Sequence, residues 1–377
     1  MAWRVTKGQG APEREPVLTR AAALAQQVGE SPQRFAVLWG LWSFRNTGAE
    51  CQAAQAVAEQ LFDLAKRQHD PAMLLRAHDA LAASLYNVGA FAPARTHWEQ
   101  GIALDDPQRH ATPDTIPGST RNYGLDCRSH LAMVLWTLGY PDQAVQRGQE
   151  ALTMAQALAH PFSLVNALIL SARLHCCRRE WQTAQAHAEA MLALATEHGF
   201  ARYAARGAFV RGAVLVAQGQ GAEGIAQMRQ GLAALRATES AVGMPFYLAQ
   251  LAAAYGQVGQ MDEGIHLVAE ALAVVDTTGA HQWEAELHRL HGELLLQQTV
   301  PEAPAAETCF QQALDIARRQ QAKSLELRAA TSLSRLWRHQ GKRATAYDLL
   351  APVYGWFTEG FDTPDLQEAK ALLAALS

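Results

Sequence analysis

The chain has 377 residues, 49% of them hydrophobic, 7% aromatic and 18% charged, and its 32 Lys and Arg against 36 Asp and Glu leave a formal charge of −4. That balance excludes a disordered chain, a collagen and a disulfide-stapled miniprotein, and it gives no whole-surface attraction for nucleic acid or anionic membrane. Five cysteines with no CxxC pair suit a reduced compartment, no apolar run reaches the roughly 18 residues of a membrane span, and Lys7, Glu13 and Glu15 stand where a signal peptide needs an apolar core, so we expect a cytoplasmic protein.

Residues 1–20 form an N-terminal extension, and residues 21–377 a single array of repeated helical pairs. Gly48, Gly89, Gly139, Gly219, Gly259 and Gly341 each follow an apolar stretch, and each precedes by five positions a small residue: Ala53, Ala94, Ala144, Gly224, Gly264 and Ala346. The two gaps of 80 and 82 residues each hide one further unit, centred on Arg179 and on Thr299. Eight units with a period of about 40 residues result. A second small-residue row lies seven positions before each centre: Ala82, Ala132, Ala172, Gly212, Ala252, Gly292 and Ser334. Small side chains there allow the two helices of a hairpin to approach closely.

Within a unit each half reads as helix. From Pro141 the positions Ala144, Gly148, Ala151, Ala155 and Leu158 step by 4, 3, 4 and 3, the stripe of an amphipathic helix. Glycine between the halves supplies the positive φ that stops the first helix. Alternating β patterns are absent. The pattern predicts an all-α fold, a right-handed α-solenoid of about eight helix–turn–helix repeats, with one long loop at residues 105–122 carrying Pro107, Pro113, Pro117 and Gly118.

The layout of small and apolar positions resembles the tetratricopeptide repeat, although its period exceeds the 34 residues of the standard unit. Particular phrases are similar to the C-terminal repeat region of bacterial class III adenylate or guanylate cyclases that carry an AAA or STAND-type ATPase module: LGYPDQAV from Leu138, HPFSLVNAL from His160, QGQGAEGIAQMRQGLAA from Gln218, AELHRLHGELLL from Ala285, and the run from Lys323 to the end. The match covers residues 31–377, and residues 1–20 resemble the linker after a cyclase domain. The resemblance implies a sensor region that binds a partner and regulates upstream modules. Neither a GxxxxGK[ST] loop nor a cyclase domain is present, so only the binding role is carried over.

In that geometry the first helix of each unit lines the concave face at positions 13, 10, 6 and 3 before the turn. This places Arg76, Asp126, Asn166, Arg206, Phe246, Glu286 and Arg328 in one row, with Trp42, Tyr86, Trp136, Arg173 and Phe209 beside it. The competing assignment for the aromatic residues is packing between neighbouring helices. Between Arg318 and Arg343, eight Lys or Arg face one acid, Glu326, and Arg328, Arg335 and Arg338 share a helical face suited to a carboxylate or phosphate. His288 with His291, and Cys176 with Cys177, are poor metal or nucleophile sets, so we expect neither a metal, a cofactor nor a catalytic residue. The sequence thus points to a non-catalytic scaffold binding a protein or peptide partner, an acidic segment in particular. The alternative is a sensor for an anionic or aromatic small molecule walled by Trp42, Tyr86 and Trp136. Least favoured is an enzyme using Asp126 with His130 or Glu286 with Arg289.

Overall fold

The computed structural model describes residues 16, 17, 20, 21, 24, 31–48, 50–106, 122–237 and 243–377. Most of the 1–20 extension and most of the 105–122 loop lie outside them. Among the described residues there are 17 α-helices, one short 3-10 turn and no strand. Sixteen of the helices pair into eight hairpins: α1 (Pro32–Thr47) with α2 (Cys51–Gln68), α3 (Pro71–Asn87) with α4 (Phe91–Ala103), α5 (Tyr123–Thr137) with α6 (Pro141–Ala157), and α7 (Pro161–Cys177) with α8 (Trp181–Glu197). Then come α9 (Ala201–Ala217) with α10 (Gly221–Ala237), α11 (Met244–Gln257) with α12 (Met261–Thr278), α13 (Glu284–Gln297) with α14 (Ala303–Arg319), and α15 (Lys323–His339) with α16 (Arg343–Gly355). A last helix, α17 (Pro364–Leu376), caps the stack, burying Leu366, Ala369, Leu372 and Leu376 against the final hairpin.

Local chemistry sets where these helices start and stop. Several first helices open on proline behind a capping side chain. Asp70 accepts from the Ala72 and Met73 amides (2.8 and 3.3 Å), Ser31 from Arg34 (3.3 Å) and His160 from Ser163 (3.3 Å). The turn inside five hairpins uses positive φ at Gly89, Gly139, Gly219, Gly259 and Gly341, and Arg179 takes the same conformation (φ 59°) in a sixth. Turns between hairpins use it too, at His69, Ala159, Gly199, Gly279 and Gln321. Two expectations need correction. The first hairpin turn is one residue longer, so Gly48 is right-handed (φ −72°) and the buried small residue is Ala54, with Ala53 only half-buried. The turn after α13 is extended at Gln298, with no left-handed residue at Thr299.

Both rows of small residues lie where paired helices touch. Ala82, Ala132, Ala172 and Ala252 are at most 3% exposed, and Ser334 donates to the Ala346 carbonyl (3.0 Å). A Cβ on Gly212 would come within 2.7 Å of the Gly224 carbonyl oxygen, and one on Gly224 within 2.5 Å of that of Gly212. Backbones in van der Waals contact leave space for nothing larger.

The stack does not remain an open arc. Its last units come round to touch its middle: the Trp136 and Trp283 rings stack at 6.3 Å, and Ser324 donates to the Trp136 carbonyl. The Glu359 carboxylate accepts from the Asp142 and Gln143 amides (3.0 and 3.1 Å), capping α6 from a residue more than 200 positions away. Gly360 donates its amide to Asp142 (2.9 Å), and its positive φ and missing side chain let it sit on Pro141. Gly89 and Gly139 face the same closure, since a Cβ on either would strike Gln320 or Trp356.

Candidate functional site

Closure turns the middle of the concave face into a cleft of ≈ 300 Å³ walled by α7, α8, α11, α13, α15 and α17. Its chemistry is a lattice of alternating charges. Arg289 pairs with Glu286 (2.9 Å) and Glu293 (2.5 Å), and Arg328 with Glu286 (3.3 Å) and Asp365 (2.8 Å). Arg179 pairs with Asp365 (2.8 Å) and Glu368 (2.6 Å), and Arg335 with Glu368 (2.7 Å). Four guanidinium groups meet four carboxylates, so the cleft is neutral overall. Gln250, Gln257, Gln297 and Thr331 line it between the charges.

Burial divides the lattice into framework and rim. The Arg289 and Arg328 side chains are 12% and 13% exposed, whereas those of Arg179 and Arg335 are 33% and 41% exposed. Burial alone would push the Glu286 carboxyl up, but Arg289 and Arg328 outweigh it and hold the group below the usual carboxylate range. Glu368 is likewise lowered, burial being outweighed by hydrogen bonds from Arg179 and Arg335. Away from the cleft, burial lowers His78 to about 4, reinforced by His97 and Lys66, and lowers His187 to about 4, reinforced by His175.

These shifts set the acid response. A histidine whose folded value lies below 6.5 contributes stability above that value and loses it as the unfolded chain takes up protons between about pH 6.5 and 4. Carboxylates with lowered folded values contribute above about 4.5 and lose that contribution as pH falls through the folded value. The urea midpoint should therefore fall from pH 7 to pH 5 through His78 and His187, then fall again below pH 4 as the cleft discharges. A flat profile between pH 7 and 5 would contradict this.

Some members of the row read from the sequence touch one another, and others meet only neighbouring rings. Asn166 donates to Asp126 (2.8 Å) and accepts from the Tyr203 hydroxyl (3.3 Å), Arg328 reaches Glu286, Arg206 lies over the Tyr203 ring (5.5 Å), Arg173 over that of Phe246 (4.3 Å) and Arg76 over that of Tyr123 (5.0 Å). The aromatic members sit elsewhere than the groove-lining expectation placed them. Trp42, Trp136 and Phe209 are at most 3% exposed: Trp42 donates to Ser84 (3.0 Å), Phe209 packs edge-on against Tyr247, and Trp136 stacks on Trp283. Tyr86 packs on Phe91 and Trp98. Trp42, Tyr86 and Trp136 thus fill three separate helix junctions rather than wall one pocket, since large rings stabilise most where helices of adjacent units converge.

The basic face is corrected in the same way. Arg328 and Arg335 are paired by acids of α17, Glu326 takes Arg318 (3.0 Å) and Lys323 (2.7 Å), and Arg338 stands outside the cleft lining. The sequence reading missed Arg179, Glu293, Asp365 and Glu368 as site residues, and named Arg289 only as a partner of Glu286 in the enzyme alternative. Arg179 carried a signal, because it breaks the glycine rule of its own repeat.

His130 contacts the Asp126 carbonyl rather than its carboxylate, and Arg289 and Glu286 neutralise each other. All five cysteines are buried and free, and burial pushes the Cys177 thiol up to about 12. Among the described residues no group of three His, Cys, Asp or Glu is placed to hold a metal ion, and no helix is long and apolar enough to cross a membrane.

Fold and cleft together define a tetratricopeptide-like helical-repeat solenoid closed on itself. No family model matches the chain. An uncharacterized protein of Rhizobium meliloti (strain 1021) is 24% identical over 316 residues, which cover 83% of this chain and 30% of that protein, so the chain spans under a third of that relative's length. Among solved structures, a Rap protein complexed with competence and sporulation factor matches 97% of this chain and 96% of its own, with a TM-score of 0.61 at 12% identity. The Rap conjugation gene regulator of plasmid pLS20, in complex with a Phr peptide, gives 0.58 at 12% identity over 97% and 98%. At these identities the likeness is one of fold.

Proposed function

We propose that this chain is a non-catalytic recognition module whose concave cleft binds an acidic segment of a protein partner, as the sensor region of a bacterial signalling system. One observation carries the reading: four arginines from the α7–α8 turn, α13 and α15 converge on a single cleft, two of them still open to solvent. Guanidinium forks bind carboxylates bidentately, and glutamine side chains beside them pair with peptide amides, which together suit an acidic peptide. Rigid stacked helices present such groups with little ordering on binding. The Rap conjugation gene regulator with its bound Phr peptide supports the reading by analogy of fold.

The test is fluorescence anisotropy of a labelled 12-residue alanine-based peptide bearing paired glutamates, beside its all-glutamine counterpart. The acidic peptide should bind, weaken as salt is raised, and bind several-fold more weakly to Arg335→Gln, whose exposed side chain can be changed with little loss of stability. Citrate or phosphate binding equally well in place of the peptide would move the assignment to a small anion. Absence of any binding at low salt would remove the recognition reading.

A further inference from the structure

The chain already carries an acidic segment seated on its own arginines. Asp365 and Glu368 lie three residues apart near the start of α17, and they take Arg179, Arg328 and Arg335 between them. Their partners differ in kind. Arg328 belongs to α15, on which α17 packs through its apolar face, so that pair is held by the last unit itself. Arg179 comes from the α7–α8 turn, more than 180 residues away, and joins across the closure.

A second observation singles out Arg179. It is a non-glycine residue at φ 59° where five other hairpins place glycine. The left-handed backbone strains a residue that bears a side chain, and here that side chain makes both ion pairs across the closure. Its neighbour Arg178 donates to the Pro141 carbonyl (2.7 Å), so the same turn also braces α6, the helix that Glu359 caps.

We infer that α17 is a built-in stand-in for the partner: an acidic helical segment with two carboxylates three residues apart competes with Asp365 and Glu368 for Arg179 and Arg335, and its binding releases the last unit from the middle of the solenoid. The inference rests on the recognition reading and specifies its ligand and its consequence. Competition is feasible because the contested pairs are the exposed ones, and exposed ion pairs are individually weak. The apolar face of α17 stays on α15 and α16 throughout. What parts is the seam made by Arg179, the Glu359 cap, the Gly360 amide, the Ser324 hydroxyl and the contacts of Arg328 with the Cys177 carbonyl and the Trp136 ring. Because α15 and α17 part from the middle together, Arg179 loses both of its carboxylate partners, so the open form presents an uncompensated guanidinium that prefers an acidic ligand.

Asp365→Asn/Glu368→Gln removes both charges and leaves Leu366, Ala369, Leu372 and Leu376 in place. The double variant should bind the paired-glutamate peptide about tenfold or more tighter than the unaltered chain, as expected when a competent state rises from about a tenth of the population. The amides of Asp142 and Gln143 should exchange faster with solvent, and the radius of gyration should rise. Glu359→Gln, which alters no arginine partner, should act in the same direction and keeps the test standing if the double variant folds poorly. Unchanged peptide affinity and unchanged exchange in both variants, with the original chain still binding peptide, would overturn the stand-in and spare the recognition reading. An all-glutamine peptide gaining as much as the acidic one would also overturn it. Failure of every form to bind either peptide would take both readings down.

Discussion

Arg328→Gln should lower stability by about 3–5 kcal/mol, the loss typical when one partner of a buried charge set is removed. The Arg328 guanidinium, 13% exposed, pairs with Asp365 and Glu286, donates to the Cys177 carbonyl and lies over the Trp136 ring at 5.1 Å. Burial alone would lower its pKa, yet Asp365 and Glu286 raise it above the ordinary arginine value, which marks the charged state as strongly held. Glutamine cannot satisfy two carboxylates and a carbonyl at once, so Glu286, 6% exposed, would depend on Arg289 alone. Urea unfolding of Arg328→Gln beside Arg335→Gln checks the claim. Arg335, 41% exposed with one ion-pair partner in the cleft, should cost under about 1 kcal/mol. Equal losses at the two positions would contradict the division into framework and rim.

Gly224→Leu should be at least as damaging, at about 3 kcal/mol or more, the upper end of overpacking. Any Cβ at Gly224 meets the Gly212 carbonyl oxygen at 2.5 Å and the Val216 amide nitrogen at 2.8 Å, both backbone atoms that no rotamer change can move. Helices α9 and α10 must separate along their length to admit it. Gly219→Ala, five positions earlier, gives the control: nothing lies within 4 Å of its Cβ, so only the left-handed φ of 88° is penalised, by about 1–2 kcal/mol. A urea midpoint no lower for Gly224→Leu than for Gly219→Ala would show that this hairpin is not in backbone contact.

The hairpins were legible in the sequence because their determinants are local and recur. Ala82, Ala132, Ala172 and Ala252 occupy one structural place four times, and the Arg179 unit was found by counting although its glycine is gone. Where the spacing slipped by one residue, at Ala53 and Ala54, periodicity could not tell which neighbour faces inward. The closure left no periodic trace. Glu359 with Asp142, and Arg179 with Asp365 and Glu368, join residues around 200 positions apart, and such pairs occur once. The excess of eight basic residues over one acid between Arg318 and Arg343 looked like an open patch because its counter-ions lie beyond that stretch, on α17, and enter only once the chain has folded round. Aromatic positions were ambiguous for another reason, since concave-facing and junction-filling rings can occupy the same helical face.

A linear array usually frays from its tips, because an end unit has one neighbour where an inner one has two. Here Glu359 and Gly360 hand the eighth hairpin a second neighbour in the third. The eighth hairpin should therefore not fray ahead of the rest but melt together with the third, in a single cooperative step.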